Sequence, residues 1–125
     1  MKMLAALCAA LALTACAAVP PAPKTPAQIV YEVKAAFVSA EDAGLSFAEQ
    51  VCPDPKTCQD SRVKAVAKAL VAADTAIAAA EKTVRALPSD ASDAQAAATG
   101  AQNALDAFKA ILAQYGVTTT SSGSN

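Results

Sequence analysis

TPAQIVYEVKAAFVSAEDAGLSFAEQV, residues 25–51, carries the pattern that decides the fold. Val30, Val33, Phe37, Ala40, Gly44, Phe47 and Val51 follow one another at alternating steps of three and four. That spacing places them on one stripe of an α-helix turned toward a core, and Ile29 and Ala36 widen it. The start is marked too. Thr25 suits the N-cap, Pro26 suits the first helical position, and Gln28 sits where its side chain can bond back to the cap. A helix over 26–51 is predicted. Gly44 costs about 1 kcal/mol of helix propensity relative to Ala, which leaves two readings: a close approach by a neighbouring helix, or a kink.

Two more stripes of the same period follow. Val63, Val66, Leu70, Ala73, Ile77, Ala80, Val84 and Leu87 predict a second helix, beginning near Asp60 or already at Pro55 and ending at Leu87. Cys52-Pro53-Asp54-Pro55-Lys56-Thr57-Cys58 separates it from the first, because two prolines make continuous helix improbable. Pro88-Ser89 ends it, and Ser89 or Asp90 is the expected cap of a third helix. The third stripe is Ala91, Ala94, Ala98, Ala101, Leu105, Phe108, Leu112 and Tyr115, with Ile111 adding area. Gly116 is a natural stop, and the polar stretch 117–125 is expected to fray.

Three helices of similar length joined by short links predict an all-α fold: an antiparallel up-down-up three-helix bundle over residues 26–116, with an Ala-rich core. A helix of 26 residues reaches roughly 39 Å. The core is thin, since the first half of the third helix offers only Ala. That stretch, Ala91–Ala101, is therefore expected either to let the helices approach closely or to contribute little stability, and a weak region of that kind is a candidate face for a partner or second copy.

Ahead of the bundle, Lys2 precedes an uncharged, mostly Ala, Leu and Cys run, residues 3–19, that stops at Pro20-Pro21. A span needs about 20 apolar residues, so the run fits an export signal better than a permanent span. Leu13-Thr14-Ala15-Cys16 resembles the lipobox of bacterial lipoproteins. The resemblance covers only about the first 17 residues. It implies that Leu13, Thr14 and Ala15 are read by a dedicated peptidase. Residues 1–15 would then be removed and Cys16 lipidated, anchoring the chain to membrane lipid. Ala17 in place of Asp resembles sorting to the outer membrane in proteobacteria. Several acyl chains hold firmly where one is marginal, at roughly 0.8 kcal/mol per buried methylene. An ordinary secretory signal cut near Ala17 or Ala18, or an uncleaved signal anchor, would use the same run differently. Residues 16–25, with Val19-Pro20-Pro21-Ala22-Pro23, read as an extended tether.

The remaining cysteines are then assigned. Cys8 would leave with the signal, and Cys52 and Cys58 remain as an even pair in a compartment that permits oxidation. Their disulfide would close a short loop, worth roughly 2 kcal/mol by the loop-entropy argument. Five residues lie between them rather than the two of a CxxC redox motif. Two sulfurs without any His are too few ligands for a standard zinc site.

Catalytic chemistry finds little purchase. The chain has no His, the residue whose ordinary pKa suits proton transfer near neutrality, and hence no Ser-His or Cys-His pair. Paired carboxylates are the surviving enzymatic option: Glu41-Asp42, Asp90 with Asp93, and Asp54 with Asp60. No cofactor, metal or small-molecule substrate is implied. With Lys2 removed, nine basic side chains face eleven acidic ones, a balance that argues against nucleic acid. Arg62, Lys64 and Lys68, with Lys56 nearby, suit either a solvated face or an anionic lipid or glycan. Tyr31, off the stripe, is the best single surface-contact candidate. The expectation is a non-catalytic interaction or structural lipoprotein facing the periplasm, self-association included. The alternative is an envelope inhibitor of a phage or lytic enzyme.

Overall fold

The computed structural model describes residues 21–119. Three helices make up the fold: α1 (Pro26–Val51), α2 (Ser61–Ala86) and α3 (Ser92–Gln114), each packed on the other two. Residues 21–119 form an all-α three-helix bundle. Because the links are short, α2 runs against α1 and α3, and α1 and α3 run in parallel. The bundle therefore has two distinct ends. The start of α1 and the α2–α3 turn share one; the Cys52–Cys58 turn and the end of α3 share the other.

The start of α1 is a capping box. The Gln28 backbone N–H donates to Thr25 Oγ1 at 3.3 Å, and the Thr25 N–H donates to Gln28 Oε1 at 2.9 Å. Pro26 takes the first turn, as its locked φ favours. At α2, the Asp60 side chain accepts from the Arg62 N–H, so the helix begins at Ser61 rather than at Pro55. Asp54 caps only a local turn: its Oδ1 accepts from the Lys56 N–H, and its carbonyl from the Thr57 N–H. Leu87 is the C-cap of α2 instead of its last residue.

Two expectations are corrected. Neither Ser89 nor Asp90 caps α3. The Ala91 N–H donates back to Pro88 O at 3.1 Å, so both lie inside a tight turn, and Ala91 becomes the N-cap with no side-chain bond. The tail does not fray from Val117. Gly116 adopts φ 73°, the Val117 N–H donates to Leu112 O, and the Gly116 N–H donates to Ala113 O. These are the paired bonds of a Schellman motif, whose usual apolar contact is supplied by Val117 against the core.

All three stripes face inward. Val30, Val33, Phe37 and Ala40 meet Val66, Ala73, Ile77 and Ala80 from α2 and Ala98, Ala101, Leu105, Phe108 and Leu112 from α3. Phe37 and Phe108 pack with ring centroids 5.6 Å apart, and Phe47 stacks on Tyr115 at 6.2 Å nearer the disulfide end. Gly44 lies in an unbroken helix, which decides between close approach and kink. A Cβ there would sit 3.3 Å from Val66 Cγ1, 3.4 Å from Leu112 Cδ2 and 3.5 Å from the Phe108 ring. Both neighbouring helices close on this point.

The two helical glycines should respond oppositely to substitution. Gly44→Leu should destabilise by about 1–3 kcal/mol, because its side chain overpacks the contact. Gly100 has nothing within 4 Å of an added Cβ, so Gly100→Ala should stabilise by about 0.5–1 kcal/mol. Urea titrations of the two variants read both signs.

Candidate functional site

Cys52 and Cys58 are joined, with Cα atoms 5.5 Å apart, an ordinary disulfide separation. Cys52 is also the C-cap of α1, its N–H donating to Ala48 O. The bond thus closes the link between α1 and α2 where the first ends and just before the second begins. Leu13, Thr14, Ala15 and Cys16 lie outside the described residues, as do Cys8 and the first part of the tether.

The carboxylate pairs occupy separate local roles. Asp54 organises the disulfide turn, and Asp60 caps α2 while its Oδ2 receives Arg62 Nη2 at 2.8 Å. Asp90 is exposed in the α2–α3 turn, and Asp93 is exposed in the first turn of α3, where its charge suits the helix dipole. Glu41 is half-buried on the flank of α1, and Asp42 beside it is exposed. Among the described residues, no group of three or more His, Cys, Asp or Glu could hold a metal ion. Two of the basic residues are drawn into similar local bonds, Arg62 to Asp60 and Lys64 Nζ to Gln59 Oε1 at 2.7 Å, while Lys56 and Lys68 are exposed.

Two ion pairs tie elements together. Lys24 Nζ lies 2.6 Å from Glu32, holding the residue just before the Thr25 cap along α1. Lys34 Nζ lies 2.7 Å from Glu81 and links α1 to α2, and Arg85 binds the same carboxylate. Sequence reasoning missed both, since no periodicity marks a pair between exposed side chains of different elements.

The Ala face expected to dock a partner is already covered. Ala94, Ala98 and Ala101 are 1%, 2% and 0% exposed. Small side chains there let α3 close on its neighbours, so this face is interior. Apolar surface is exposed elsewhere. On α1, Tyr31, Val38 and Leu45 are 77%, 49% and 51% exposed, and on α2 Val71 is 62% exposed. Tyr31 was singled out from sequence. Val38 and Leu45 were not, although their steps of seven from Tyr31 are a helical period.

The chain matches no protein-family model, no curated protein and no solved structure. Between α1 and α3 runs a shallow groove, lined at one end by Pro26, Ile29, Ala98 and Gln102 and further along by Val33, Leu105, Asp106 and Lys109. None of the paired carboxylates lines it. No helix among the described residues is long and apolar enough to cross a membrane.

Acid should expose the Asp60 bond. Its side-chain hydrogen bond from Arg62, helped by the Arg62 backbone N–H, lowers the carboxyl from 3.8 to about 2. Lys34 lowers Glu81 in the same direction, chiefly by its hydrogen bond. A carboxyl depressed by folding stabilises fully above its unfolded pKa, and that contribution is lost as pH falls through the folded one. Tm should therefore drop between about pH 4 and pH 2. Asp60→Asn, which keeps an oxygen for the cap but cannot ionise, should show a smaller drop over that range. Cys52→Ser with Cys58→Ser should cost about 2 kcal/mol by urea titration while the far-ultraviolet helical signal persists.

Proposed function

We propose that this chain is an envelope lipoprotein, held to the outer membrane through Cys16, whose helical bundle acts by binding rather than by chemistry. The observation that carries the anchor is Leu13-Thr14-Ala15-Cys16, closing an apolar signal-like run and followed by a Pro-rich tether. The geometry of the bundle supports the rest. The tether enters at the start of α1, where Lys24 is bound to Glu32, so the anchor leads into one end of the bundle. The disulfide turn lies about 39 Å away, at the far end of a 26-residue helix. The long outer face of α1 between them carries the Tyr31, Val38 and Leu45 row. An exposed apolar row on a tethered body suits contact with another protein.

The anchor is tested by intact mass of the full chain from a Gram-negative host. The wild type should lose residues 1–15, gain acyl mass and partition into the detergent phase of a cloud-point extraction. Cys16→Ala should do none of these. A wild-type mature chain beginning at Ala17 or Ala18 without acyl mass would rule out the lipoprotein reading.

A further inference from the structure

We infer that the outer face of α1 is the contact surface for a second copy of this chain, in an antiparallel pair centred on Val38. This names the partner for the binding role proposed above and rests on that role, with the lipid anchor supplying the confinement that favours it. Tyr31, Val38 and Leu45 stand at equal steps of seven, so a two-fold axis beside Val38 brings Val38 against its equivalent and Tyr31 against Leu45 of the other copy. Two-fold pairing is the commonest closed symmetry and requires this self-complementarity.

Charge fixes the direction. At about 100° per residue, Lys34 and Glu41 lie on the same flank of the row, roughly 40° and 60° from Val38. Lys34 is four residues before Val38 and Glu41 three after it. In the antiparallel pair Lys34 of one copy therefore lies within about 1.5 Å, along the axis, of the level of Glu41 in the other. The symmetry makes two such opposite-charge contacts. A parallel pair instead sets Lys34 opposite Ala35 and offers no such match. Lys34 is half exposed although bound to Glu81, and Glu81 also holds Arg85, so Lys34 can lean outward without leaving Glu81 bare. The apolar row alone is small for a stable interface, so the pair is weak in dilute solution. Confinement on a membrane raises the effective concentration and favours it. The nine steps from Cys16 to Thr25 would reach roughly 28 Å if extended, enough for both anchors to reach one membrane with the pair lying along it.

The register makes the test sharp. The full chain, reconstituted in phospholipid vesicles, is treated with a short bis-maleimide and compared with wild type. Val38→Cys should give covalent dimers at several times the wild-type yield. Tyr31→Cys and Leu45→Cys should each give none above wild type, yet a mixture of the two should cross-link. Val71→Cys, exposed but off the row, serves as the collision control. Charge is tested by mixing: Glu41→Lys and Lys34→Glu, each combined with Val38→Cys, should each lose cross-linking, whereas an equimolar mixture should recover it. Circular dichroism confirms that each variant is helical. Val38→Cys dimers no more abundant than Val71→Cys dimers would overturn the proposal. So would self-cross-linking of Tyr31→Cys alone, which indicates parallel pairing. Acylation is read from the intact mass of the same chains, so failure of the pair and failure of the anchor are told apart.

Discussion

The closeness of α2 and α3 to α1 at Gly44 is the constraint on which the rest of this bundle depends. A single missing side chain lets Val66, Leu112 and Phe108 converge within van der Waals reach of one backbone position. Ala40 and Ala101, both 0% exposed, extend the same economy of volume along the bundle. Close packing forfeits little dispersion energy, so small side chains can build a dense core if the helices move together. The few large residues then matter more. Phe37, Phe108, Leu105 and Leu112 fill the space that the small ones leave.

That use of alanine has a consequence for the surface. Ala94, Ala98 and Ala101 are spent on the interior, so the Ala stripe of α3 is covered by its neighbours. Larger apolar side chains are left outside on α1, in a row where the interior does not need them. The two ends of the molecule are also unlike. The chain enters at one past the Lys24–Glu32 pair, and a disulfide closes the link at the other.

Much of the fold was legible because local chemistry and period agreed. Thr25, Pro26 and Gln28 marked the start of α1, and the steps of three and four marked all three buried stripes. The third helix start was misread because Ser89 and Asp90 are good caps by type, while the turn closed by Ala91 onto Pro88 placed them outside the helix. Val117 was misread because a polar tail outweighed a specific signal: an apolar residue directly after the C′ glycine. The candidate surface was only partly legible. Tyr31 stood out as an aromatic off the stripe, but Val38 and Leu45 look like ordinary helix-face residues until the other side of α1 is known to be buried. Gly44 left kink and close approach open, since one sequence stripe cannot report the distance to another.

The most direct measurement of this account is the set of nuclear Overhauser contacts made by the Gly44 α-protons in the folded chain. The packing predicts cross-peaks to a Val66 methyl, to a Leu112 methyl and to the Phe108 ring, within helical chemical shifts that run unbroken across Ala43, Gly44 and Leu45. Absence of contacts to either α2 or α3, or a break in helical shifts at Gly44, would contradict it.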